Sequence, residues 1–170
     1  EYLHLRELLT PLVCPIFLMP GNHDCVINLR RSFPDHSYLG LSGPAHFSVD
    51  LGDLQLIALD STLAGQSFGA IDAHGLAWLE ESLLACGDRP VVIAMHHPPF
   101  LTQIGHMDEI GLLHGRAEFA QIIRKFSNIE RIICGHLHRA IDTRFAGTIA
   151  STSPSPAHQV VLDLHPLAVS

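Results

Sequence analysis

Three short apolar runs in this chain each stop at a polar cluster: Pro15 to Met19 before Pro20-Gly21-Asn22-His23-Asp24, Val91 to Met95 before His96-His97-Pro98-Pro99, and Ile129 to Cys134 before Gly135-His136-Leu137-His138. Apolar runs of this length, bounded by turn residues, read as strands buried on both faces, as in a sheet covered by helices. Helical patterns alternate with them. Leu5, Leu8, Leu9 and Leu12 share a helical spacing in Glu1 to Leu12; Asp24 is expected to cap a short helix through about Phe33; Asp72 caps a longer one with the face Leu76, Leu79, Leu83 and Leu84; Arg116 to Phe126 forms another. Gly52-Asp53 between His46–Leu51 and Leu54–Asp60 signals a hairpin. Two further strands are expected near Thr143–Ala150 and Gln159–Leu164. The plan is mixed α/β in one domain spanning residues 1–170, without repeats or linkers.

In open α/β sheets, ligands bind beyond the carboxyl ends of the strands. Parallel neighbours would therefore gather Asn22-His23, His96-His97 and His136 with His138 at one rim. The chain carries 13 histidines, and those at strand ends need an explanation that the scattered His4, His36, His74 and His165 do not. Each cluster alone reads as an ordinary turn or strand exit. Three at strand ends in one chain point to a shared site. Imidazole nitrogen with an amide oxygen, and no thiol among these candidate ligands, suits zinc, manganese, iron or cobalt rather than a structural thiolate site. His136 and His138 would face opposite ways on an extended segment, but Gly135 permits a turn that serves two adjacent ions.

Net charge is −7, from 10 basic and 17 acidic residues, which argues against a nucleic-acid polymer as partner. No apolar stretch approaches bilayer length, so no membrane partner is expected. Cys14, Cys25, Cys86 and Cys134 lack paired short spacing, and Cys14 and Cys134 lie in apolar runs. They read as reduced thiols, the latter two buried in strands, in a reducing, cytoplasmic setting.

Gly21-Asn22-His23-Asp24, His96-His97-Pro98-Pro99 and Gly135-His136-Leu137-His138 resemble the third, fourth and fifth signatures of the calcineurin-like metallophosphoesterases. Within them the chain is similar to class III cyclic nucleotide phosphodiesterases and their glycerophosphodiesterase relatives, through Leu59-Asp60-Ser61-Thr62, the helix carrying Trp78-Leu79-Glu80-Glu81-Ser82-Leu83, and Ser151 to Val160. The resemblance implies part of a four-layer α/β/β/α sandwich with mixed sheets. It also implies a hydrolase of small phosphodiesters, a 3′,5′-cyclic nucleotide or a glycerophosphodiester, attacked by a hydroxide bridging two divalent metals. Asn22, His96 and His136 would bind the second metal and His138 the first. His23 would be the catalytic group facing the phosphate. His97 would line the substrate pocket or support the site from behind, and His158 would lie on the substrate side.

The family's opening signatures, Asp-x-His and Gly-Asp, supply the first metal's other ligands and the bridging carboxylate, and neither precedes Gly21. Asp72-Ala73-His74 and Gly52-Asp53 spell them downstream, in the wrong order, and read as a helix cap and a hairpin turn. The expectation is a C-terminal portion of such an enzyme that retains at most one metal, has little activity alone, and is open to homo-oligomer formation through an uncovered apolar face. The alternatives are a phosphomonoesterase or protein phosphatase on the same fold, and a non-catalytic, degenerate metal-binding domain.

Overall fold

A computed structural model describes residues 1–165. Helices α1 (Tyr2–Leu9) and α2 (Val26–Ser32) come first, then a 3-10 turn at Ser37–Leu39. Next come β1 (Phe47–Asp50), β2 (Gln55–Leu59), β3 (Gly69–Ala70), α3 (Ala73–Cys86), β4 (Val91–Met95), α4 (Gly105–Asp108), β5 (Leu112–His114), α5 (Arg116–Ile123), β6 (Ile129–Cys134), β7 (Ile141–Phe145) and β8 (Thr148–Thr152). One mixed sheet has the order β1-β2-β4-β6-β8-β7, and β3 pairs with β5 in a small parallel sheet. The α/β class with a mixed sheet is as expected.

Strands β2, β4, β6 and β8 are mutually parallel, and β1 and β7 close the edges antiparallel. Their registers align Leu59 with Met95, Met95 with Cys134, and Cys134 with Thr152. Four parallel strands therefore end level. The residues that follow them, Asp60, His96, Gly135 and Ser153, form a single rim.

The core lies between this sheet and helices α3 and α5. Ile57, Ile93 and Ile132 from the sheet meet Leu79, Leu83, Phe119 and Ile123 from the helices, all essentially without exposure. Each such side chain contributes about 1.5–3 kcal/mol by leaving water. Asp72 accepts from the Gly75 N–H at 2.8 Å and caps α3, so the downstream Asp-x-His is a helix start. Gly52, at φ 84°, turns the β1–β2 hairpin.

Several local expectations give way to tertiary partners. Leu84 is exposed, one position off the buried stripe of α3. Cys14 is exposed, whereas Cys134 is buried as expected. Pro15–Met19 joins no sheet: prolines at 15 and 20 lack N–H donors, and the Leu18 N–H is taken by the Tyr38 hydroxyl at 2.6 Å. Asp24 does not cap α2, because Cys25 holds that position. Thr143–Ala150 is a hairpin, β7 and β8, turning at Ala146-Gly147 with φ 50° and 103°. Gln159–Leu164 forms no strand. The Val160 carbonyl accepts from Arg139 at 2.9 Å, and its side chain covers Ile104, Met107 and Leu137.

Candidate metal and phosphate site

His96 follows the end of β4 and Gly135-His136 the end of β6, adjacent parallel strands in level register, which brings the two histidines close. His96 Nε2 lies 2.8 Å from Asn22 Oδ1 and 3.3 Å from His136 Nδ1. Two glycines allow this approach. A Cβ on Gly21 would sit 2.7 Å from His96 Cε1, and one on Gly135 would sit 3.2 Å from His96 Nδ1.

His136 and His138 both adopt left-handed backbone, at φ 67° and 52°. For non-glycine residues that conformation is uncommon and concentrates at functional sites. It also turns the two imidazoles toward one cavity, while Leu137 between them is fully buried. The turn expected of Gly135 is made by the histidines themselves.

The cavity has a volume of about 280 Å³ and is bounded by Asn22, His23, His96, His136, His138 and His158. His23 is exposed at its mouth. His138 Nδ1 lies 2.9 Å from His158 Nε2, on the side brought in by the segment around Val160. His97 stands apart. It has no exposure, and its ring nitrogens lie 2.9 Å from Ser61 Oγ and 3.2 Å from the Ser67 carbonyl. His97 is not among the residues that line the cavity.

Burial, reinforced by neighbouring imidazoles, pushes His96 down to about 3 and His136 down to about 4. Both are neutral at physiological pH, the form that ligates metals. Nitrogens of His96, His97 and His136 lie within 4.8 Å of one another. His97 would have to surrender a protein partner to ligate, whereas His136 turns Nδ1 toward His96 and keeps Nε2, on the far side of the ring, buried near the Ile110 backbone. The donor set of one amide oxygen and neutral imidazoles fits a borderline divalent ion. Among the described residues no Lys or Arg lines the cavity, so bound cations are the natural source of positive charge for a phosphate.

The turn carrying Asn22 and His23 is braced by Asp24. One carboxylate oxygen accepts from the Tyr2 hydroxyl and the other from the Gly21 N–H, each at 2.8 Å. Burial and the neighbouring Asp24 push the Tyr2 phenol up to about 12, so it remains a donor. Sequence reasoning assigned no role to Ser61 or Tyr2. Ser61 could have been found as another polar residue at a buried strand's carboxyl end. Tyr2 leaves no such mark.

A family model described as calcineurin-like phosphoesterase matches residues 2–140. The chain is 35% identical over 164 residues to the protein named probable glycerophosphodiester phosphodiesterase GpdQ of Arcobacter nitrofigilis, covering 96% of this chain and 60% of that one. It is 29% identical over 159 residues to the 3′,5′-cyclic adenosine monophosphate phosphodiesterase CpdA of Vibrio vulnificus, covering 94% and 56%. It thus spans a little over half the length of these relatives. A dimetal phosphatase from Danio rerio shares the fold, with TM-score 0.60 and 14% identity over 80% of this chain and 60% of that one.

Proposed function

This chain belongs to the calcineurin-like phosphoesterase family, whose model spans residues 2–140, and from that membership we propose that it supplies much of the active site of a metal-dependent phosphodiesterase for small phosphodiesters. The observation that carries this reading is the meeting of Asn22 Oδ1, His96 Nε2 and His136 Nδ1, three potential ligand atoms from separate segments of the chain. Asn22, His96 and His136 hold one divalent ion, of manganese, iron, zinc or cobalt, and His138 contributes to a second. Residues 1–170 are read as part of one domain.

When bound, the ions supply positive charge at the phosphate and activate the attacking water. The chain's own residues do the rest. Asn22 and the two buried imidazoles orient the ion-binding edge. His23, at the mouth, holds or delivers a proton at the leaving oxygen. His158 and its partner His138 bound the substrate side. The names of the relatives support a 3′,5′-cyclic nucleotide or a glycerophosphodiester as substrate. Free thiols at all four cysteines fit a reducing, cytoplasmic setting, and no helix of the described residues is long and apolar enough to cross a membrane.

The test compares a bis-aryl with a mono-aryl phosphate, using Mn²⁺ and a protein that carries these residues together with the Asp-x-His and Gly-Asp signatures. Faster turnover of the diester is expected; faster turnover of the monoester would favour a phosphatase on the same fold. The 170-residue chain alone lacks those carboxylates at its rim and should show little or no turnover. Robust metal-dependent hydrolysis by it would overturn that part of the reading.

A further inference from the structure

We propose that Tyr2 is a positioning residue for the metal site: its hydroxyl clamps Asp24 and so holds the Asn22-His23 turn in the shape that presents Asn22 Oδ1 to a divalent cation. This rests on the ligand reading above. Helix α1 buries no residue completely; Tyr2 and Leu9 pack on the cluster of Leu29, Phe33, Leu39 and Ala45, and polar contacts add to this. Arg6 pairs with Asp35 at 2.8 Å and donates to the Ser32 carbonyl at 2.9 Å, anchoring the helix to α2 and its exit. The Tyr2 hydroxyl, from the first turn of α1, reaches past α2 to the Asn22-His23 turn.

That hydroxyl donates to Asp24 Oδ1 at 2.8 Å and accepts from the Cys25 N–H at 2.9 Å. The other Asp24 oxygen takes the Gly21 N–H at 2.8 Å, and the Asp24 N–H donates to the Gly21 carbonyl at 3.0 Å. Asn22 and His23 are therefore the central residues of a four-residue turn closed at both ends. Nothing in α2 replaces the clamp, since its first N–H groups receive no side-chain cap. Among the described residues Asn22 Oδ1 has one side-chain partner, His96 Nε2, and a cation would compete for both atoms. Without the phenol, ordering the turn falls to the cation, and the entropy of that ordering is lost from its affinity.

The experiment is a Mn²⁺ titration of the 170-residue chain and its Tyr2→Phe variant, followed by paramagnetic relaxation, with amide spectra and thermal melts alongside. Phenylalanine keeps the ring's packing and removes only the hydroxyl. Mn²⁺ affinity should fall about tenfold or more, as for other groups that orient a ligand. Amide shifts should be confined to residues 21–25, with little change in melting temperature. Arg6→Ala, which removes the contacts to Asp35 and Ser32 and leaves the Tyr2–Asp24 bond in place, should lower Mn²⁺ affinity less than Tyr2→Phe. Unchanged affinity in Tyr2→Phe overturns the proposal, as does an equal loss in Arg6→Ala. Should Tyr2→Phe fail to fold, Asp24→Asn, which can accept only one of the two clamping bonds, must show the same selective loss. A wild-type chain that binds no Mn²⁺ refutes the ligand reading, and this proposal with it.

Discussion

His96 Nε2 lies 2.8 Å from Asn22 Oδ1, across 74 positions of chain. Removing either end of this pair, or His136 beside it, should disable cation binding. Asn22→Ala and His136→Ala are each expected to lower Mn²⁺ or Zn²⁺ affinity by at least about tenfold by calorimetry. Full retention in either variant would show that the ion sits elsewhere.

The glycines around His96 set a steric test. A Cβ at Gly21 falls 2.7 Å from the ring, against 3.2 Å at Gly135. Gly21→Ala should displace His96 from Asn22, weaken cation binding and cost about 1–3 kcal/mol of stability. Gly135→Ala should be the milder change in both urea unfolding and metal titration. The reverse order would mean that His96 does not hold the position described.

Acid should destabilise the metal-free protein. His96 falls from the ordinary 6.5 to about 3 in the fold, and His136 to about 4, while the unfolded chain keeps ordinary values. Between the two the unfolded state binds more protons, so stability rises with pH there. It is fully present above 6.5 and is lost as pH falls toward 3–4. Thermal melts in EDTA should show a steady fall below the ordinary histidine value. The slope should be shallower in His96→Ala, and an unchanged slope would argue against a neutral, buried His96.

Ser61 holds His97 from behind at 2.9 Å. Ser61→Ala leaves a fully buried imidazole nitrogen without its partner, at a cost of about 1–3 kcal/mol. Denaturant unfolding should register this loss. Cation affinity should change far less than in Asn22→Ala, which separates a supporting histidine from a ligand.

The strand ends, helix α3 with its Asp72 cap, and the Gly52 hairpin were legible because local chemistry and tertiary environment agree there. Buried strands must be apolar, and a cap needs only its own helix. The misses share a cause. Pro15–Met19 and Gln159–Leu164 have strand-like side chains, but their backbone groups go to Tyr38 and Arg139, partners chosen by packing. His97 reads like His96 in sequence, yet the alternation at the end of β4 sends it into the interior toward Ser61.

By itself the sequence determined that residues of metal-ligand type follow the buried strands β4 and β6, since apolar runs and their turn residues are local properties. The common register that ends β2, β4, β6 and β8 level belongs to the tertiary structure. So do the left-handed turns at His136 and His138, the retreat of His97, and the reach of Tyr2 to Asp24. Each depends on which backbone and side-chain groups find one another across the fold, and one-dimensional spacing holds no record of that.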